Sequence, residues 1–175
     1  MMQHRYKSPF GPLFIQLTPK GVSHLSFSAL SGANEISRDD HTDEVISLYP
    51  TIVSALDSYF AGDGEPLDAV PIDVQGTEFQ REVWLEARNV RFGETTSYGE
   101  LASRIGRSQS SRAVGAALGA NPVCVIIPCH RIISSEGKLH GFSGGLDKKA
   151  RLLQHERAVF RGVGLGEEIS PYLEP

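Results

Sequence analysis

The chain has 175 residues, a net charge of −4 and 40% hydrophobic residues, which fits one ordinary domain or two small ones around a buried core. No apolar run approaches the length that crosses a bilayer, and the N-terminus lacks the apolar segment of a signal peptide, so we expect a cytoplasmic or nucleoid-associated protein without a membrane partner. Cys124 and Cys129, the two cysteines, are expected to be free thiols there, and without a Cys/His cluster they argue against a metal site.

The charge is unevenly distributed along the chain. Residues 1–75 carry 4 basic and 10 acidic residues, residues 76–165 carry 13 and 8, and residues 166–175 carry 3 acidic ones. The basic half indicates a polyanionic partner, although a mixed solvated surface gives the same balance. We predict an N-terminal subdomain with its linker over 1–75, a C-terminal domain over 76–165 and a flexible tail over 166–175.

The N-terminal pattern predicts a small mixed subdomain. Short segments at 5–8, 11–18 and 22–30, separated by Pro/Gly turns, are typical of antiparallel strands. A polar loop at 31–43 precedes apolar residues at helical spacing over 43–60. The predicted fold class is therefore α+β, with a β-hairpin and helix subdomain followed by a mostly helical C-terminal subdomain.

The C-terminal domain shows clear helix starts. TEFQ at 77–80 and SYGE at 97–100 are capping boxes, each predicting a helix, and Ser110 or Ser111 can cap a third helix that stops before Pro122. The second and third helices, joined by a short connection that contains glycine, indicate a helix-turn-helix. Two ordinary packed helices give the same pattern.

Residues 123–133, VCVIIPCHRII, form the most informative stretch. An apolar run of strand-forming residues leads into Pro128 and then Cys129 and His130, so we predict a buried strand ending at a rigid turn that holds the thiol. A thiol near its ordinary pKa is only about a few per cent ionised at neutral pH, so it needs a base. On an extended chain His130 points to the opposite face, and its contact with the sulfur needs a turn or a bridging water. A structural cysteine beside a surface histidine is the alternative.

The site stretch is followed by a hairpin turn, a glycine-rich loop and a last helix. The turn is expected at 134–138 and the loop at 139–146, with Asp147 as the helix cap. Leu146, Ala150 and Leu153 form the apolar stripe of this helix. Glu156 is expected to lean toward that stripe rather than into solvent.

Five motifs in one order resemble a known family. FQREVW, SYGELA, SRAVGAALGANP, IIPCHRII and GFSGGLDKKARLLQHE, over residues 76–157, are similar to O6-alkylguanine-DNA alkyltransferases, also called methylated-DNA–protein-cysteine methyltransferases. Residues 1–75 are similar to the small N-terminal domain of that family. The resemblance implies DNA repair by direct reversal: a monomer without a cofactor irreversibly transfers the alkyl group of O6-alkylguanine in duplex DNA to its own cysteine, once. O4-alkylthymine is a second candidate substrate.

The resemblance also implies roles for individual residues. Cys129 would accept the alkyl group, His130 would take the thiol proton through a water, Glu156 would orient His130, and Tyr98 would donate a hydrogen bond to the base. Arg112 would fill the space left by the extruded base. The DNA-binding residues would be Ser111, Arg112, Ala113, Gly115, Ala116, Asn121 and Arg131, with Asn121 as a hinge, and the substrate pocket would contain Phe142, Ser143 and Gly144.

Two functions of other classes remain open at this point. A lesion-binding or regulatory helix-turn-helix protein would contain the same motifs with an inert Cys129. A cysteine hydrolase could use Cys129, His130 and Glu156 as nucleophile, base and orienting residue, although the sequence contains no clear oxyanion element.

Overall fold

The structure is a computed structural model that describes residues 2–31, 34–35 and 43–173. The chain forms two compact units. The N-terminal unit comprises Met1–Gln75 with Pro122–Ile126, and the C-terminal unit comprises Gly76–Asn121 with Ile127–Pro175. The chain therefore returns to the N-terminal unit immediately before the stretch that contains Cys129.

The N-terminal unit contains a four-stranded sheet. Its strands are β1 (Met2–Ser8), β2 (Gly11–Thr18), β3 (Gly21–Ser26) and β4 (Asn34–Glu35), in the order β3-β2-β1-β4. The β1–β2 and β2–β3 pairs are antiparallel, as predicted, whereas β4 adds a parallel edge to β1. Alternation along β2 buries Leu13 and Ile15 on the face that forms the core.

Helix α1 (Asp43–Phe60) supplies the other half of this core. It is the helix predicted over 43–60, and Ile52, Leu56 and Tyr59 on one face are fully buried. The short helix α2 (Glu65–Asp68) follows and packs against α1. The polar loop predicted at 31–43 lies mostly outside the described residues.

Three helices open the C-terminal unit: α3 (Glu78–Ala87), α4 (Tyr98–Arg104), which follows the short strand β5 (Thr96–Ser97), and α5 (Ser111–Gly119). Both predicted capping boxes are confirmed. The three helices pack on one another around Trp84, whose indole Nε1 donates to the Ala117 carbonyl at 2.8 Å. A Cβ at residue 76 would lie 2.7 Å from the Trp84 ring, so Gly76 permits this packing.

Two predicted caps are wrong. Ser110 occupies the cap position of α5 but its side chain makes no capping hydrogen bond, because its backbone is not extended as a capping residue requires (φ −105°, ψ 22°). The last long helix, α6 (Leu146–His155), starts one residue before Asp147, with Gly145 as the cap at φ +94°. Asp147 therefore lies inside the first turn.

The remaining elements surround α6. Strand β6 (Ile132–Ile133) pairs with β5, the hairpin of β7 (Val159–Phe160) and β8 (Val163–Gly164) follows α6, and α7 (Gly166–Ile169) is next. The flexible tail predicted over 166–175 is wrong for Ile169, which is buried in one core with Ala150 and Leu153. None of the helices in the described ranges is long and apolar enough to cross a membrane.

Candidate active site

Two tight turns, rather than a strand, lead the chain to Cys129. The predicted continuous strand at 123–127 is wrong, because a γ-turn centred on Val125, at φ +71°, interrupts it. A second γ-turn is centred on Pro128, at φ −81° and ψ 59°, as the proline suggested. In each turn the residue after the centre donates its N–H to the carbonyl before it, at 2.9 and 2.8 Å. The thiol is therefore held by a rigid backbone on its N-terminal side.

Cys129 opens a short 3-10 turn, Cys129–Arg131, and is only 5% exposed. Asn121, two residues after α5, donates from Nδ2 to the Cys129 sulfur at 3.1 Å and to the Ile127 carbonyl at 3.0 Å. Burial raises the pKa of the Cys129 thiol, and the Asn121 hydrogen bond and the charge of Lys149 oppose this only in part. The resting group is therefore a thiol that needs a base.

His130 is oriented to act as that base. Its Nε2 lies 2.7 Å from Oε1 of Glu156, and both side chains are fully buried. Since a carboxylate only accepts, Nε2 carries the proton and Nδ1 keeps its lone pair. Nδ1 is buried and has no protein hydrogen-bond partner in the described chain. Burial lowers the pKa of His130 despite the carboxylate, so the ring is neutral and can accept a proton.

Glu156 is a fully compensated buried charge. Arg131 donates to it from Nε at 2.9 Å and from a terminal nitrogen at 3.1 Å, and the Gly93 N–H donates at 3.2 Å. Burial alone would raise the pKa of Glu156, but His130 and Arg131 outweigh it and hold the pKa well below its usual range. A Cβ at Gly93, which has φ +79°, would lie 3.1 Å from the Glu156 carbonyl oxygen, so a glycine suits this turn.

Arg131 has a different role from the predicted DNA contact. It is 3% exposed, and besides Glu156 it donates to the Val90 carbonyl at 2.7 Å and lies over the Phe92 ring at 5.9 Å. A guanidinium with these partners is not available to a phosphate. Arg131 instead fixes the carboxylate that orients His130.

An open groove of about 840 Å³ collects most of the other predicted residues. It is lined by Tyr98, Ser111, Arg112, Gly115, Gly119, His140, Gly141, Phe142 and Ser143. Of the predicted DNA-binding and pocket residues, Ala113, Ala116, Asn121, Arg131 and Gly144 do not line it, although both alanines are exposed on α5. The start of α4, the exposed face of α5 and the loop at 140–143 thus meet in one place.

Tyr98 connects this groove with the thiol. Its hydroxyl donates to the His140 carbonyl at 3.0 Å. Burial, and then the proximity of Cys129, raise the pKa of Tyr98 to about 12, so the hydroxyl keeps its proton and remains a donor.

Lys149 is the site residue that the sequence did not reveal. It is fully buried on α6, and its Nζ donates to the carbonyls of Ile132 at 2.7 Å and His140 at 2.8 Å, with the Tyr98 hydroxyl at 3.5 Å. Burial lowers its pKa to about 8, partly opposed by Cys129. One signal was present: Lys149 lies three residues after Leu146, on the apolar stripe of α6.

Comparisons with known proteins agree with this geometry. Residues 78–158 match the family described as 6-O-methylguanine DNA methyltransferase, DNA binding domain, and residues 1–74 match its ribonuclease-like domain. The methylated-DNA–protein-cysteine methyltransferase of Methanosarcina acetivorans is 38% identical over 151 residues, which cover 86% of this chain and 95% of the relative. The protein of that name from Mycobacterium tuberculosis is 40% identical and covers 86% and 89%.

The chain belongs to the methylated-DNA–protein-cysteine methyltransferase family. A crystal structure of Mycobacterium tuberculosis OGT in complex with DNA matches with a TM-score of 0.75 and 31% identity, over 97% of this chain and 99% of that one. A structure of the O6-methylguanine methyltransferase of the same organism matches with a TM-score of 0.69 and 38% identity, over 89% and 92%. The predicted family and the α+β fold with a mostly helical C-terminal part are confirmed.

Proposed function

We propose that this protein repairs O6-alkylguanine in duplex DNA by transferring the alkyl group irreversibly to Cys129. The observation that supports this most directly is the buried series of Cys129, His130 and Glu156, with Nδ1 of His130 left to accept a proton. In a member of this family, a nucleophile, a base and an orienting carboxylate in one unit fit a single displacement at the sulfur.

The reaction balances with the groups in the site. The Cys129 thiol loses its proton to Nδ1 of His130 through a water, and the sulfur forms a bond to the alkyl carbon as the bond from that carbon to guanine O6 breaks. The electron pair stays on the base, which takes up through solvent the proton that the thiol released. The Tyr98 hydroxyl, which donates to the His140 carbonyl in the unbound protein, would turn its proton to the base and stabilise the developing charge. The thioether is stable, so each molecule acts once.

Binding of DNA is proposed at the groove and the exposed face of α5. A base inside a duplex must be extruded to reach a buried thiol, at a cost of about a few kcal/mol. Arg112, exposed near the start of α5, would fill the vacated stack, and Ser111 lies beside it. The small residues Ala113, Gly115 and Ala116 allow this helix to approach a narrow minor groove.

The extruded base would enter the groove. Phe142 and Ser143 line it and Gly144 follows in the same loop, where a hydroxyl and backbone groups could contact the O6 edge. We propose O4-alkylthymine as a second substrate of this site. We also propose that the protein acts as a cytoplasmic monomer that needs no cofactor.

Mass spectrometry tests the transfer directly. The protein is incubated with excess duplex oligonucleotide carrying one O6-methylguanine, and intact and peptide masses are measured. We expect one methyl group per molecule, confined to the peptide that holds Cys129. Cys129→Ala should abolish the gain and still bind the duplex, while Cys124→Ala, which removes the other buried cysteine, should keep it.

Other outcomes favour the other function classes. Binding without any methyl gain in the unmodified protein would support a lesion-binding protein with an inert cysteine. Release of many product molecules per protein molecule would support a hydrolase. Methyl transfer by the Cys129→Ala protein would refute the proposed nucleophile.

A further inference from the structure

Lys149 is a buried cation for which the alkyl transfer described above has no use. An ammonium is expensive to bury, by several kcal/mol after relaxation, unless it is paired or its hydrogen bonds are satisfied. In the described chain the hydrogen-bond partners of Lys149 are all neutral oxygens: two carbonyls at 2.7 and 2.8 Å and a hydroxyl at 3.5 Å. Because the charge is costly to bury, we look for its role in the backbone segments that its hydrogen bonds connect.

The two carbonyls belong to different parts of the site. Ile132 lies three residues after Cys129, at the start of β6, and is itself fully buried. His140 is the first residue of the loop at 140–143, which lines the groove and which we name the groove wall. The Nζ atom of Lys149 thus joins the backbone next to the nucleophile to the backbone of the groove wall.

The groove wall has little regular structure of its own. Residues 140–143 lie between β6 and α6, in neither a strand nor a helix. The His140 carbonyl accepts both from Nζ of Lys149 and from the Tyr98 hydroxyl, which tie the wall to α6 and α4. Charge-assisted hydrogen bonds are about twice as strong as neutral ones, so the ammonium is the stronger of the two ties.

We propose that Lys149 is a positioning residue for alkyl transfer, whose protonated amine holds the groove wall in register with Cys129. This inference rests on the proposed function, because register matters only if a base in the groove must meet the sulfur. Misplacing a reacting group by about 1 Å can cost on the order of 10²-fold in rate. The wall would therefore set the rate without touching the alkyl group.

The proposal makes transfer sensitive to pH on the alkaline side. The titratable groups around Lys149 are Cys129 and His130 from the 3-10 turn and Tyr98 from α4. Raising the pH ionises Cys129 and speeds transfer, His130 is already neutral, and Tyr98 keeps its proton to about pH 12. A fall in rate above about pH 8 would therefore report the loss of the Lys149 proton.

Single-turnover kinetics test this with three proteins: the unmodified protein, Lys149→Met, and Lys148→Met as a matched control on the same helix, where Lys148 pairs with Asp147. Rates are measured against duplex concentration from pH 6 to 10. We expect Lys149→Met to lower the saturating rate on the order of 10²-fold and to lack the alkaline fall. Lys148→Met should keep both the rate and the fall. A rate that does not fall above pH 8 in the unmodified protein, or falls equally in Lys149→Met, overturns the proposal.

Hydrogen exchange separates positioning from general damage and does not depend on transfer. At pH 7 we expect Lys149→Met to lose protection at the Gly145 amide, whose N–H donates to the Phe142 carbonyl of the wall at 3.0 Å, while α3 and the β1–β2 pair keep theirs. Lys149→Gln, which keeps a neutral donor, should lie between the two and serves if the Met variant does not fold. Unchanged protection of the wall overturns the proposal even if no protein transfers a methyl group, an outcome that would refute the proposed function separately.

Discussion

The C-terminal unit buries two charged side chains at the candidate site, Glu156 and Lys149, and their hydrogen-bond partners differ in charge. Glu156 accepts hydrogen bonds from the neutral His130 ring and from the cationic Arg131 guanidinium. Lys149 is surrounded by neutral oxygens. The pKa of Glu156 is held well below its usual range, whereas that of Lys149 falls to about 8.

The difference shows how one small core can hold a fixed charge and an adjustable one. A buried carboxylate with a bidentate guanidinium stays charged at any physiological pH and can orient a base permanently. A buried ammonium without a carboxylate keeps its proton only near neutrality. Mutations on the Glu156 side should therefore be severe at every pH, and those on the Lys149 side should depend on pH.

The largest expected effect is that of Glu156→Gln. Removing one partner of a buried pair leaves Arg131 uncompensated, so the free energy of unfolding should fall by about 3–5 kcal/mol. Transfer should slow by roughly 10²–10⁴-fold, because His130 loses the group that sets its tautomer. Urea denaturation measures the first and single-turnover kinetics the second.

Glu136→Gln is the matched control for that change. Glu136 forms an ion pair with Lys138 at 2.8 Å, but both side chains are more than half exposed. The free energy of unfolding should change little, with unaltered transfer, because solvent screens an exposed ion pair. Equal losses of stability and of transfer rate in the two variants would show that the burial and the partners of Glu156 do not matter.

Acid should destabilise the unmodified protein in two stages. The pKa of His130 is lowered in the folded state, so the unfolded chain binds a proton first, and stability falls as the pH drops below about 6.5. The pKa of Glu156 is also lowered, so its stabilisation is present above about pH 4.3 and is lost as the pH falls below that value.

Denaturation curves at pH 7, 5.5, 4 and 3 distinguish the two stages, because the loss of the Glu156 stabilisation lies below about pH 4.3. Each proton bound on unfolding contributes a slope of up to about 1.4 kcal/mol per pH unit. His130→Asn should reduce the slope between pH 7 and 5.5, where His24 also contributes because burial lowers its pKa, and should keep the lower one. An unchanged slope in that window would mean that His130 is protonated in the folded protein.

The sequence alone predicted those features that depend on neighbours along the chain. The capping boxes of α3 and α4 join residues three apart, so their letters suffice. The α6 stripe follows from periodicity in the same way. The order of motifs carried the family resemblance, and with it Cys129, His130 and Glu156.

Features that depend on contacts across the fold were out of reach. Arg131 lies 25 residues from Glu156, and no local pattern shows that its guanidinium turns inward rather than toward DNA. The apolar run before Cys129 resembles a strand because Val and Ile favour strands, while the γ-turn at Val125 depends on the tertiary environment. The sequence predicts a solvated charge at Lys149, because its burial depends on Ile132, His140 and Tyr98, which are distant in the chain.

The smallest effect at neutral pH, and the sharpest contrast with Glu156, is expected for the stability of Lys149→Met. Removing the ammonium relieves a burial cost but leaves the Ile132 carbonyl without this donor, so the free energy of unfolding at pH 7 should change by only about 1 kcal/mol in either direction.

The difference in the free energy of unfolding between the unmodified protein and Lys149→Met should then change with pH. Because the folded pKa of Lys149, about 8, lies below its unfolded value, the unfolded chain holds a proton that the folded protein has lost. Between pH 8 and 10 the unmodified protein should gain about 1.4 kcal/mol per pH unit over the Met variant. The two are compared with Cys129→Ala in place, because the pKa of that thiol depends on the Lys149 charge. Stability would thus rise over the pH range in which transfer falls, and a parallel fall of both would mean that Lys149 supports the fold rather than the register of the groove wall.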